Sequence, residues 1–267
     1  MPYAKIRYVV ADGVATIELN DPPANTYSYE MMREIDAAVL DARMDPAVHV
    51  IVLRGAGEKF FCAGANIGML KDADPDYKYC FCLHANETLN RLEQTPKLVV
   101  AALNGHTVGG GLEVAMAADL RVARKDAGKI GLPEVALGVL PGTGGTQRLA
   151  RLVGKARALE LMIAGRLMSF DEAKAIGLVH EVWDASALAG KTFAEAAHEY
   201  ARQFTPPHKA SKAVGRIKRA VQSGIEAGFG EGLALERELQ QLLFESDDAR
   251  EGIAASVEKR KAQFKGT

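Results

Sequence analysis

The sequence predicts an α/β protein, a sheet flanked by helices and followed by a helical C-terminal piece. Three observations lead there. Short apolar runs rich in Val and Ile alternate with segments whose apolar residues recur at helical spacing. Each run is closed by Gly, Pro or Asn, the residues that end strands and open turns. Beyond Gly145 the strand signal fades and good helix formers take over.

In chain order, residues 6–9 and 14–19 alternate around Asp12-Gly13, a strong short hairpin signal, which predicts two antiparallel strands. Residues 20–23, Asn-Asp-Pro-Pro, break the second strand. Ser28 then caps a helix carried by Met31, Ile35, Ala38, Val39 and Ala42 and ending near Asp45-Pro46. Residues 48–53 form a β-branched run closed by Gly55 and Gly57, which suits a strand buried on both faces. A long helix over 77–94 stops at Thr95-Pro96, and a second buried strand spans 98–103 before Asn104-Gly105 turns the chain. After Gly109-Gly110-Gly111 come helix formers over 112–118 and a third strand over 120–123. This order implies crossover connections and a sheet covered by helices. Further on, Ser169 with Glu172 forms a capping box, 178–182 is one more strand candidate, and everything after Lys191 reads helical. Thr205-Pro206-Pro207 is the expected boundary between a core of residues 1–205 and a helical segment of residues 206–267, too small to fold alone and so packed on the core or on another subunit.

Composition narrows the function classes. The chain has 267 residues and a mass of 28.6 kDa, so folding should leave roughly 11,000 Å² exposed of about 41,000 Å² and needs no disulfide or metal. With 33 basic and 34 acidic side chains there is no basic excess to favour nucleic acid. The strongest apolar stretch, 98–103, is too short to cross a bilayer, and Met1-Pro2-Tyr3 opens no secretory leader, so the expectation is a soluble cytoplasmic protein. Three cysteines, Cys62, Cys80 and Cys82, fit a reducing compartment. Cys80, Cys82 and His84 alternate but lack a second ligand pair nearby, so no metal site is expected, and they read as core or pocket wall.

Serine-hydrolase, zinc-hydrolase and P-loop motifs are absent, and the six histidines are scattered. Two glycine-rich strand exits stand out instead: Phe60-Phe61-Cys62-Ala63-Gly64-Ala65-Asn66, and residues 104–113 with Gly109-Gly110-Gly111. Small residues leave backbone N–H groups uncovered, and two such loops side by side can aim donors at one oxygen. Taken singly, either loop also suits tight turns or close helix packing. Glu113 lies three residues after Gly110, on the same side of a helix start, among the apolar neighbours Leu112, Val114, Ala115 and Met116. The helix N-terminus favours its ionised form, as a base requires. Glu134 is a second charge in apolar surroundings, after Gly131-Leu132-Pro133, and a donor-rich turn over 140–146 follows it. Two carboxylates in dry surroundings repel, which separates their proton affinities into one base and one acid.

These residues, in this order and spacing, resemble the enoyl-CoA hydratase/isomerase (crotonase) superfamily over about residues 4–264, and most closely a two-glutamate enoyl-CoA hydratase. The matches are Phe61-Cys62-Ala63-Gly64-Ala65, Asn104-Gly105 through Gly109-Gly110-Gly111-x-Glu113, Pro133-Glu134 with Gly138, Pro141-Gly142-x-Gly144-Gly145-Thr146, Glu172-Ala173 with Gly177-Leu178-Val179, and Glu258-Lys259-Arg260-Lys261. The resemblance implies a crotonase-like spiral of ββα units with a C-terminal helical trimerisation domain. It also implies a homo-oligomer, a trimer or a hexamer of two stacked trimers. By the same resemblance, Ala65 and Gly110 form the oxyanion hole, and Glu113 and Glu134 are the catalytic pair that adds water to a 2-enoyl-CoA to give a 3-hydroxyacyl-CoA, as in fatty-acid β-oxidation. Ala63, Ile67, Gly142 and Lys259 fall at substrate- or CoA-binding positions, Lys259 reaching the CoA phosphates of a neighbouring subunit. No cofactor is implied, because the CoA belongs to the substrate. Alternatives are an isomerase, a hydratase for a branched, cyclic or dicarboxylic acyl-CoA, or a non-catalytic RNA-binding relative, which the neutral charge disfavours. Departures from the family pattern are Asn66 and Gly68, where relatives often carry Asp and Lys, Asn25-Thr26-Tyr27 in place of the commoner Asn-Ala-Leu, and Gln240 where an aromatic is known. Residues 69–83 correspond to a variable loop over the acyl tail, and their aromatics suggest an enclosed pocket.

Overall fold

The computed structural model describes residues 3–267. The Asp12-Gly13 hairpin joins β1 (Ile6–Ala11) to β2 (Val14–Leu19) in antiparallel register, and Ser28 caps α1 (Tyr29–Met44) by accepting from the Met31 N–H. The chain then makes three turns of one pattern. In each, a strand joins the main sheet, a shorter strand joins a second sheet, and helix follows. The first turn contains β3 (Val50–Gly55), β4 (Phe60–Cys62), α2 (Ile67–Asp72) and α3 (Pro75–Glu93). The second contains β5 (Leu98–Leu103), β6 (His106–Val108) and α4 (Gly110–Met116). The third contains β7 (Leu120–Arg124), β8 (Ile130–Gly131), a 3-10 turn at Glu134–Leu137 and α5 (Gly145–Val153). Two sheets result, β1-β2-β3-β5-β7-β9 and β4-β6-β8, with every pair parallel except β1 with β2. Here β9 is Glu181–Trp183, reached through α6 (Lys155–Ala164) and α7 (Phe170–Ala175). This is the ββα spiral that the resemblance implies.

Three differences from the sequence reading have physical causes. The strands β4, β6 and β8 are two or three residues long, too short for alternation to show, so the loops expected at the two strand exits are in fact ordered by pairing. The last strand begins at Glu181 rather than 178, because Leu178 and Val179 bond back to the Ala173 carbonyl and pack into the core at the end of α7. Residues 69–83 are mostly helical. Asp74 caps α3 by accepting from the Tyr77 N–H, and Pro75 holds its first position. On a helix alternate residues face apart, so Tyr79 is 70% exposed and Cys80 is exposed, while Phe81 and Cys82 turn inward. The aromatics therefore do not enclose the pocket as a group, and Cys80 is neither core nor wall.

After β9 the chain is helical: α8 (Ala185–Leu188), α9 (Phe193–Arg202), α10 (Ser211–Gly224), α11 (Phe229–Phe244) and α12 (Asp247–Val257). Helix α10 is fastened to the core by a buried ion pair, Lys218 Nζ to Asp119 at 2.8 Å, and Lys218 also donates to the Lys97 carbonyl. Gly215 permits the close approach, since a Cβ there would stand 2.3 Å from the Pro96 oxygen. The far side is unpartnered: Ile217, Val221 and Ile225 form an exposed stripe at helical spacing, continued by Phe229, Leu242 and Phe244.

Candidate active site

The two glycine-rich exits lie side by side because β4 and β6 are parallel neighbours, Phe60 opposite His106 and Cys62 opposite Thr107. Their approach requires glycine. A Cβ on Gly64 would sit 3.1 Å from the Gly110 nitrogen, and one on Gly111 would sit 2.0 Å from the Cys62 oxygen. Tyr27 bridges to Ala65, accepting from the Asn66 N–H at 2.9 Å and donating its own N–H to Gly64 at 3.0 Å, which turns the Ala65 N–H away from this ladder. The N–H of Gly110 opens α4 and has no intrahelical acceptor. Among the described residues neither N–H has an acceptor, and both residues line one cavity of about 570 Å³.

Glu113 projects from the first turn of α4 into this cavity and is 2% exposed. Its Oε1 accepts from the Thr143 N–H at 2.8 Å and the Gly145 N–H at 2.7 Å, and its Oε2 accepts from the Thr143 hydroxyl. Burial pushes its carboxyl up, while the Thr143 hydroxyl, the two backbone N–H groups and the nearby Arg148 oppose that rise. Arg148 belongs to α5, donates to the Thr143 carbonyl and pairs with Glu93 at 2.8 Å, and so fixes the turn that holds Glu113.

Glu134 enters from the 3-10 turn after β8, opposite Gly109. Gly109 has φ of 59°, which favours glycine, and a Cβ there would stand 2.9 Å from Glu134 Oε1 and displace that carboxyl. The Oε2 of Glu134 is buried without a hydrogen-bond partner among the described residues. Burial first, and then the charge of Glu113, push its carboxyl up to about 7. One carboxylate is thus surrounded by donors and the other is left bare, so the two carboxyls sit in unlike environments.

Ala63, Ile67 and Gly142 line the same cavity, with Leu70, Lys71, Lys78, Phe81, Cys82, Leu137 and Leu140. Asn66 has a structural reason: its side chain caps α2 by accepting from the Met69 N–H at 3.0 Å. Lys259 does not line this cavity; it is exposed after α12. Cys82, read from the sequence as core or pocket wall, does line the cavity, whereas sequence reasoning singled out no role for Thr143 or Arg148. Thr143 was visible only as one residue of a donor-rich turn, and Arg148 only as a basic residue in a helix.

Fold and cavity together define a class, enzymes of the crotonase fold, here with two acceptor-free backbone N–H groups and two carboxylates around one cavity. The enoyl-CoA hydratase/isomerase family profile matches residues 10–267. The chain is 45% identical to a crystal structure of the enoyl-CoA hydratase of Geobacillus kaustophilus, with a TM-score of 0.94, covering 100% of this chain and 98% of that one. It is 37% identical to the short-chain-enoyl-CoA hydratase of Clostridium acetobutylicum, over 94% of this chain and 93% of the relative. It is 35% identical to the crotonyl-CoA hydratase of Syntrophomonas wolfei, over 99% of each. The chain belongs to the enoyl-CoA hydratase/isomerase family.

Proposed function

We propose that the chain is an enoyl-CoA hydratase in which Glu113 and Glu134 handle one water and the N–H groups of Ala65 and Gly110 hold the thioester oxygen. The observation that carries this is the asymmetric carboxylate pair facing two acceptor-free N–H groups in one cavity. Glu113 removes a proton from water as its oxygen bonds to C3 of the conjugated thioester. The displaced electron pair moves to the thioester oxygen, where the two N–H groups stabilise the enolate. Glu134 then donates its proton to C2, giving a 3-hydroxyacyl-CoA. No group outside the protein and substrate is needed, and the CoA is the substrate's own. The relatives named as hydratases support this over an isomerase or an RNA-binding role. Loss of the conjugated-thioester absorbance of crotonyl-CoA tests it, and an unchanged trace with short and long enoyl chains would overturn it.

The pH dependence follows from the Glu134 environment. An acid with a value of about 7 is increasingly deprotonated above neutrality, so kcat/KM should fall about tenfold per unit on the alkaline side. Glu134→Gln should lack that limb. An alkaline limb preserved in the variant would assign it to another group.

Within this reading Ala63, Ile67 and Gly142 flank the CoA and acyl portions, and Lys71 and Lys78 add cations at the same cavity. The chain works as a trimer or hexamer, in the cytoplasm, in fatty-acid β-oxidation. Assembly is supported by exposed area: 13525 Å² is about 2,000 Å² more than a monomer of this mass leaves exposed. The unpartnered α10–α11 face supplies the apolar part. The three unpaired thiols suit a reducing compartment. Lys259 serves the CoA phosphates of a neighbouring subunit. Lys259→Ala should therefore raise KM for crotonyl-CoA several-fold at low salt and less at high salt, with kcat unchanged. A salt-independent, unaltered KM would remove Lys259 from the site, and a fully active monomer in sedimentation would overturn the assembly.

A further inference from the structure

The surroundings of Tyr27 point to a use for its hydroxyl. The side chain is 1% exposed, and its ring stacks on Phe81 with centroids 5.9 Å apart. Its hydroxyl lies over Gly110, where a Cβ would stand 2.1 Å from it, and 3.2 Å from Thr143 Oγ1. Thr143 has a single hydroxyl proton. An ionised Glu113 only accepts, so that proton is committed to Glu113 Oε2. Thr143 Oγ1 then has only lone pairs to offer, and the contact with Tyr27 is satisfied with the phenol as donor.

We propose that Tyr27 is a positioning residue for hydration: by donating to Thr143 Oγ1 it locks the Thr143 hydroxyl onto Glu113 and keeps that carboxylate ionised and aimed at the substrate water. The inference rests on Glu113 being the base. Burial and the Glu113 charge hold the phenol well above its ordinary value, so it remains a donor across the working range. The other titratable groups around the relay are Glu134 from the 3-10 turn, Cys82 from α3, Cys62 from β4 and Arg148 from α5. All are retained when only the Tyr27 oxygen is removed, so Tyr27→Phe isolates one donor while preserving the ring.

The experiment is the pH profile of crotonyl-CoA hydration for the wild type, Tyr27→Phe, Thr143→Val, Thr143→Ser and the double variant Tyr27→Phe/Thr143→Val. Removing support for the charged form raises the pKa of the base, so the acidic limb should move to higher pH in Tyr27→Phe and further in Thr143→Val. Near neutral pH Tyr27→Phe should lose about 3- to 10-fold in kcat with KM within about twofold, and the double variant should be no worse than Thr143→Val alone. Thr143→Ser should restore the wild-type limb. An acidic limb unmoved in Tyr27→Phe, or losses that multiply in the double variant, would overturn the proposal. If Tyr27→Phe does not fold, the Thr143→Val and Thr143→Ser profiles decide, and coincident limbs would overturn it equally. Glu113→Gln separates the two readings. An active Glu113→Gln removes the base itself, whereas an inactive one beside an unshifted Tyr27→Phe removes only the role of Tyr27.

Discussion

Replacing Glu113 by Gln should lower kcat for crotonyl-CoA by about 10²- to 10⁴-fold while leaving affinity for the thioester nearly unchanged, because a general base acts on the transition state far more than on the bound substrate. The structure shows why the fold should survive. The amide oxygen of Gln can accept the N–H groups of Thr143 and Gly145, and its NH₂ can donate to a rotated Thr143 hydroxyl. Glu134→Gln should cost a similar factor without strain, since among the described residues Glu134 Oε2 has no hydrogen-bond partner to lose. In the proposed mechanism the two carboxyls act on one water, so removing both should cost far less than the product of the single losses. Wild-type turnover in either single variant, or losses that multiply, would refute the shared-water mechanism. Stopped assays with crotonyl-CoA and binding of a saturated acyl-CoA measure the two quantities separately.

The second large effect is at Gly110. Gly110→Pro should abolish measurable hydration through the missing donor, worth about 3–4 kcal/mol of barrier. The first position of α4 suits proline by conformation, so the helix should persist. Any Cβ there collides with the Tyr27 hydroxyl, however, so proline alone confounds two causes. Gly110→Ala carries the same collision with its N–H intact. The alanine variant should lose activity moderately, and the proline variant about a further 10²- to 10³-fold. Equal activities for the two would show that steric conflict, rather than the donor, sets the loss. Folding of both is checked by thermal melting followed by circular dichroism.

The legible and illegible parts of the molecule divide by the range of the interaction that fixes them. Strands β3 and β5 and helices α1 and α3 show in the sequence because burial imposes a period over many residues, and caps such as Ser28 mark the helix starts. Strands β4, β6 and β8 do not show, because two or three residues carry no period. Their pairing is decided by strands distant in sequence. The tyrosines at 77 and 79 looked like pocket residues, but the helical phase of α3 turned Tyr79 outward and kept Phe81 and Cys82 for the cavity.

For the site, the sequence by itself singled out residues that the fold gathers around one cavity. Glycines sit where any Cβ would strike a neighbouring loop, and Glu113 and Glu134 sit as charges in apolar surroundings. Chemistry constrains residue type locally, so both kinds of signal survive in one chain. The tertiary structure alone decided which carboxylate is supported and which is bare, because the donors to Glu113 come from Thr143 and Gly145, some thirty positions away. It likewise decided that Tyr27 meets Thr143 across 116 positions of sequence. A proton affinity is set by burial and by partners gathered from separate elements, and those partners come within hydrogen-bonding distance only when the β4-β6-β8 strands pair and the turn at residues 141–145 closes over α4.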